Sequence, residues 1–331
     1  MKKLIEDFSK QLTESLQIAE KATLSPSKAP IQNVVIAGLG GSGIGGNLVQ
    51  AFTFDSINVP INITKTYEIP SFVSANTLFI ACSFSGNTEE TTSAVAKAIA
   101  KGAKIVCVTS GGKLGEIAAA NGLDVINIPG RSNSPRASIG YSIVQLLTIF
   151  NFFGLISTNH WSEIKGTIAL LDAENANILA EAQTLAGKMK GRLPILYSDA
   201  RLEAVIVRTQ QQINENSKQL CHVNVFPEMN HNELVGWVYP VDLIKNSLTV
   251  MVTTDFDHER VGMRMEICRS IFRERGSEVV DLKAKGGNII EQSFYLIHLL
   301  DWVSFFLAEI NNVDPFPVEV INFLKAELGK R

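Results

Sequence analysis

Ser83, Ser85 and Thr88 crowd three hydroxyl groups into six residues of the segment Cys82-Ser83-Phe84-Ser85-Gly86-Asn87-Thr88-Glu89-Glu90-Thr91, between an apolar run and a helical pattern. Each hydroxyl can donate to one phosphate group, and the free N–H groups and positive dipole of a helix start add to the attraction. Ser, Thr and Asn are also preferred N-cap residues, with Glu following at capping-box distance, so plain helix capping is the alternative. Capping uses one hydroxyl and leaves two without a purpose. A second loop, Gly38-Leu39-Gly40-Gly41-Ser42-Gly43-Ile44-Gly45-Gly46, formally satisfies the dinucleotide pattern G-x-G-x-x-G. That pattern also expects an acidic residue about 20 positions later, at the end of the second strand, to hold a ribose. Here that strand ends in Thr64-Lys65-Thr66, and Asp55 precedes it. A nicotinamide cofactor would lack its anchor. What is left is a glycine-lined backbone and the Ser42 hydroxyl at a helix start, which suits any phosphate or, in the plainer reading, only a tight turn.

Candidates for acid–base chemistry lie elsewhere. In Gly130-Arg131-Ser132-Asn133-Ser134-Pro135-Arg136, Ser134 reads as an N-cap and Pro135 as a first helical residue, which puts Arg136 in the first turn. A guanidinium there opposes the helix dipole, which points to a functional charge rather than a solvated one; Arg131 is the less favoured substitute. Glu215 lies in the polar run Gln210-Gln211-Gln212-Ile213-Asn214-Glu215-Asn216-Ser217-Lys218, where a lone Glu is ordinarily solvated. His231, one of five histidines, sits in the turn Asn230-His231-Asn232-Glu233 and can move protons near neutral pH. A metal set of His231, Glu228 and Glu233 is the weaker alternative, because no His-x-x-x-His pair accompanies it. His222 and His298 read as core or interface residues, and Lys325 by itself as a residue of a solvated tail. Cys82, Cys107, Cys221 and Cys268 are far apart, with no CxxC pair. They indicate four reduced, mostly buried thiols rather than zinc ligands or disulfides.

The elements that must carry these residues alternate along the chain. Apolar strands are expected at 34–36, 61–63, 78–80, 104–108 and 125–128, and again at 193–198, 221–225, 248–252 and 278–282. Helices are expected at 4–22, 201–219, 258–275 and 288–310. Continuous apolar strands separated by helices imply parallel sheets covered on both faces. A chain of 331 residues fits two such domains, expected as 1–153 and 154–331, duplicated in architecture without a literal repeat. A hydrophobic share of 46% with 19% charged residues supplies two cores, and a net charge of −3 offers no general field for nucleic acid. The start Met1-Lys2-Lys3 runs into an amphipathic pattern rather than a signal peptide, and the greasy stretch 143–156 is too short for a membrane span. Both favour a cytoplasmic protein with no membrane partner.

The loop Ser83-x-Ser85-Gly86-Asn87-Thr88-x-Glu90 resembles the signature of the SIS (sugar isomerase) fold. Two such domains in about 330 residues, behind a Gly40-Gly41-Ser42 turn, are similar to the bifunctional phosphoglucose/phosphomannose isomerase family over nearly the whole chain. The resemblance implies an α/β fold of two doubly wound, flavodoxin-like SIS domains that bind a phosphosugar. It implies phosphate binding by Gly40, Gly41, Ser42, Ser83, Ser85 and Thr88, ring opening by His231 and Lys325, proton transfer by Glu215, and charge stabilisation by Arg136. It implies no metal or organic cofactor, and a homodimer whose active sites are shared, so that His231 acts across the interface. A non-catalytic phosphosugar sensor and an aminosugar-phosphate isomerase are the alternatives. Neither a DNA-binding segment nor room for an amide-transferring domain is evident. The residue that would admit both hexose epimers is not placed by sequence, although Phe316 and Val318 are near the expected region.

Overall fold

Runs of Val, Ile and Phe form the strands, and the amphipathic stretches between them return the chain over the sheet faces. In the computed structural model, which describes residues 1–130 and 134–330, the first part runs α1 (Lys2–Glu6), α2 (Phe8–Glu20), β1 (Asn33–Ala37), α3 (Gly40–Phe52), β2 (Ile61–Thr64), β3 (Thr77–Ser83), α4 (Glu89–Ala100), β4 (Lys104–Thr109), α5 (Gly112–Asn121), β5 (Asp124–Asn127) and α6 (Ile139–Phe152). α7 (Trp161–Met189) precedes β6 (Leu193–Asp199), α8 (Glu203–Ser217), β7 (His222–Phe226), α9 (Glu233–Gly236), α10 (Val241–Lys245), β8 (Ser247–Thr253), α11 (Glu259–Glu274), β9 (Glu278–Lys283), α12 (Ile289–Ile310) and α13 (Glu319–Leu328). Arg131, weighed above as a substitute for Arg136, lies outside the described residues. The helix expected over 4–22 is two pieces, because Asp7 stands between α1 and α2.

Two compact units are present: residues 6–172 with 286–291, and residues 1–5 and 173–285 with Gln292 onward. The division falls inside α7, between Asp172 and Ala173. In the first unit five parallel strands stand in the order β2-β1-β3-β4-β5. This is the doubly wound arrangement whose connections diverge between β1 and β3, where open α/β sheets bind ligands beyond the carboxyl ends of the strands. Every residue of β3 is buried, as a central strand covered on both faces requires. Val35, Phe79, Ile105 and Cys107 pack with Val95 of α4 and Leu114 of α5 on one face. α6 is buried almost throughout, and Gln145 is accommodated because its amide donates to the Ser15 carbonyl at 2.9 Å.

In the second unit four parallel strands run β7-β6-β8-β9. One face is an aromatic core in which Tyr197 stacks on Phe272 at 5.3 Å and Trp237 lies 4.1 Å from the same ring. The crossover from β7 to β8 is no regular helix. It is a 3-10 turn (Glu228–His231) followed by the four-residue α9 and the five-residue α10. α12 has the length and apolarity of a membrane span, but 83% of its apolar window is buried inside the fold. Trp302 and Phe305 of this helix are 1% and 8% exposed within the single chain.

Candidate active site

Ala37 of β1 stands in register with Ala81 of β3, so the chain leaves both strands side by side. Gly38 fills the gap between them. A Cβ there would lie 3.0 Å from the Cys82 carbonyl and 3.1 Å from the Ser42 Cβ. Ser42 and Ser83, both nearly fully buried, are thus held close to one another at the divergence of the connections. Thr88 occupies the N-cap position of α4, yet its side chain makes no capping bond. Its hydroxyl lies 2.9 Å from the Ser83 hydroxyl instead, and the Ser83 oxygen accepts the Gly86 N–H at 3.1 Å. The capping reading of this loop fails on that geometry. The first N–H groups of α4 have no side-chain cap, and two hydroxyls and an exposed Ser85 stand before them.

The loop is braced from behind. Gly86 has a φ of 71°, and the Gly111 carbonyl lies 1.8 Å from where a Cβ would be. Ser110 Oγ donates to the Phe84 carbonyl at 2.6 Å, and Asn87 Oδ1 accepts the Lys113 N–H at 3.1 Å. Ser110 and Gly111, between β4 and α5, and Lys113 at the start of α5 therefore fix the hydroxyl loop.

Arg136 belongs to the same unit. Its expected helix is a single 3-10 turn, Pro135–Ala137, one step ahead of α6. A Cβ on Gly41 would lie 3.3 Å from the Pro135 carbonyl and 3.6 Å from the Arg136 Cα. A glycine lets this turn lie against the start of α3, where a Cβ would press it back by a few tenths of an ångström. The Gln11 amide clamps the far side, donating to the Ala137 carbonyl at 2.8 Å and accepting the Gly140 N–H at 2.8 Å. Sequence reasoning assigned no such role to the N-terminal helix, since an amphipathic pattern does not reveal a partner 126 residues away.

In the other unit Glu215 lies in the last turn of α8, half-buried, on a cleft of about 650 Å³ lined also by Leu220, Pro317 and Val318. α13, which carries Lys325, starts at this cleft through Glu319, Val320 and Ile321. None of its residues is buried, and Lys325 is exposed. His231 is exposed at the end of the 3-10 turn that follows β7. It therefore sits at the carboxyl end of the second sheet, whereas α8 runs back from β6 to the start of β7. Gln219, just beyond α8, donates to the Arg192 carbonyl at 2.9 Å, immediately before β6 begins. Glu215 and His231 of one chain are thus at opposite ends of the sheet, and the structure does not bring them together.

The residues around His231 are firmly held. Asn230 Oδ1 accepts from Arg264 at 3.2 Å, Asn232 Nδ2 donates to Glu228 at 2.7 Å, and Glu233 accepts from Tyr197, His222 and Asn224. The two carboxylates weighed as metal ligands are engaged in this way. Burial pushes the Glu233 carboxyl up, but hydrogen bonds from His222, Asn224 and Tyr197 together hold it below its ordinary range. The hydrogen bond to Glu233 raises His222 above its own. His222 is accordingly neither a core nor a plain surface residue, while His298 is buried as expected.

Residues 29–150 match the SIS domain model, and residues 178–328 match the bacterial phospho-glucose isomerase C-terminal SIS domain. The chain is 38% identical to the bifunctional phosphoglucose/phosphomannose isomerase of Caldicellulosiruptor bescii, over 98% of its length and 97% of the relative's. It is 35% identical to the enzyme of that name from Aquifex aeolicus, over 99% and 98% of the two chains. Among solved structures, a hypothetical protein from Thermus thermophilus shares the fold with a TM-score of 0.77 at 19% identity, over 99% of this chain and 88% of the other. Full-length identity at this level, carried by a chain whose hydroxyl loops flank the divergence of a doubly wound sheet, assigns it to the bifunctional phosphoglucose/phosphomannose isomerase family.

Proposed function

We propose that the protein interconverts glucose 6-phosphate and mannose 6-phosphate with fructose 6-phosphate, and that the uncapped start of α4 with the Ser83 and Thr88 hydroxyls receives the phosphate. That loop is the observation that carries the reading, because it leaves N–H groups and hydroxyls together where an anion is attracted. Ser42, Ser85 and the backbone at Gly40 and Gly41 complete the cradle. His231 and Lys325 open the sugar ring by moving the proton between the ring oxygen and the anomeric hydroxyl. The Glu215 carboxylate then takes the proton from C2 and the electron pair forms the C1=C2 enediolate; the hydroxyl proton passes from O2 to O1, the C2=O bond forms, and the same carboxylate returns its proton to C1. The Arg136 guanidinium stabilises the enediolate charge. Glucose and mannose 6-phosphates differ only at C2, so losing that proton takes both to one enediolate. Proton transfer of this kind needs neither metal nor organic cofactor.

The separation of Glu215 from His231 supports a homodimer in which each active site takes its histidine from the partner. Val235, Tyr239 and Leu243, close to His231 in the chain, are 79%, 78% and 47% exposed, an apolar surface suited to a second copy. Four free, buried thiols fit a reducing cytoplasm. The test is conversion of both aldose phosphates to fructose 6-phosphate with a chelator present and Glu215→Gln as control. Turnover of both, reduced at least about a thousandfold in the variant, is expected. Tight phosphosugar binding without turnover by the native protein would make it a sensor instead.

A further inference from the structure

α8 is a buried helix with a polar buried face. Arg208, Gln212 and Asn216 recur every fourth residue, and all three are at most 3% exposed. Each finds its partner on α12. Arg208 pairs with both carboxylate oxygens of Asp301, and Gln212 Nε2 donates to Asp301 at 3.0 Å. Nearest the site, Asn216 Nδ2 donates to Ser304 Oγ at 2.9 Å, and Ser217 Oγ donates to the Ser304 carbonyl at 2.7 Å. Ser304 Oγ in turn donates to the Asp301 carbonyl at 2.7 Å, which joins the bonds into one seam. The seam ends on the two residues that follow Glu215. An apolar stripe would hold the helices together as firmly, yet it would let α8 rotate or slide. Hydrogen bonds at fixed spacing set both rotation and register, since any slip leaves buried polar groups unpaired.

We propose that Ser304 is a positioning residue for the reaction, fixing the Glu215 carboxylate through Asn216 and Ser217. The inference rests on the reading of Glu215 as the proton carrier. A carboxylate that must take a proton from C2 and return it to C1 works only within a narrow range of placement, and misplacement by about 1 Å can lower the rate a hundredfold.

The test compares Ser304→Ala and Asn216→Ala, which break the same hydrogen bond from opposite helices, with Met251→Ala, which opens the core on the face of β8 that packs against α11. Isomerisation of glucose 6-phosphate is followed in water and in D2O. Both seam variants are expected to lower kcat by about tenfold to a hundredfold with KM within about twofold. The share of product carrying solvent deuterium rises, because a misplaced carboxylate exchanges its proton before returning it. The double variant falls no further than the singles, and Met251→Ala lowers the melting temperature without these changes. If Ser304→Ala does not fold, Asn216→Ala alone decides. Unchanged kcat and deuterium content in the seam variants, with Glu215→Gln inactive, overturn the positioning role alone. An active Glu215→Gln removes the proton carrier itself, and the proposal with it.

Discussion

Gly86 is the residue on which the hydroxyl loop between β3 and α4 depends most strictly. Any side chain would take up an unfavourable φ and strike the Gly111 carbonyl at 1.8 Å. Gly86→Ala is expected to lower stability by roughly 2–4 kcal/mol and to weaken phosphosugar binding, as thermal unfolding and calorimetric titration with glucose 6-phosphate would measure. His222 and Glu233 make a second, pH-dependent prediction. His222 is raised, so its contribution is complete below an unfolded pKa of about 6.5 and is lost as pH rises through the folded value. Glu233 is lowered, so its contribution is present above about 4.3 and is lost as pH falls through the folded value. The stability lost in His222→Gln should therefore peak between about pH 4.5 and 6.5 and shrink on either side. It should not exceed about 0.5 kcal/mol, because solvent screens a side chain that is 45% exposed. Denaturant melts at three pH values would show this. That Ser83, Ser85 and Thr88 do more than cap α4 was legible in the sequence, because three clustered hydroxyls exceed what capping needs. Gln11 and Ser304 were not, because their roles lie in partners far along the chain, 126 residues away for Gln11 and Ala137 and 88 for Asn216 and Ser304.

Elements were legible where their hydrophobic period was unbroken. The nine strands among the described residues lie at or beside their expected ranges, and the first sheet has the doubly wound order expected of it. Reading failed where side-chain chemistry and period disagree. The polar run at the end of α8 looks like a solvated tail, yet Gln212, Asn216 and Ser217 are buried, because α12 supplies matching polar groups that no local pattern announces. The β7–β8 crossover does open a helix after its polar turn, but that helix, α9, is only four residues long. Pro227 and Pro240 divide the crossover into short pieces, and Glu233 pins those pieces to the sheet in place of a continuous apolar stripe. α13 yields a prediction of its own. Since none of its residues is buried, a chain ending before Glu319 should melt within about 2 °C of the full chain. It should nevertheless lose at least about tenfold in kcat/KM through the absence of Lys325, and scanning calorimetry beside the isomerase assay would check both.

At the scale of the whole molecule the two sheets are alike in order but opposite in charge where their connections diverge. The first offers hydroxyls and uncapped N–H groups. Beyond the adjacent ends of β6 and β8 stand Asp199, Asp255 and Asp257, and burial, with the charges of Asp199 and Asp255, raises the Asp257 carboxyl above its ordinary value. Phosphate is repelled there, so calorimetric titration should find one phosphosugar per chain. The placement of the proton-moving residues leads further. Glu215 and His231 are separated by the length of the strands between them, about 17 Å for five residues, a span that no hexose bridges. If each active site draws its histidine from the partner, inactive Glu215→Gln and His231→Ala chains should rescue one another. In a mixed dimer one site combines both defects and the other combines neither. Half of the dimers in an equal, fully exchanged mixture are mixed, so about a quarter of the native activity should return. Were Glu215 and His231 of one chain to serve the same site, every site in the mixture would carry a defect and no activity would return.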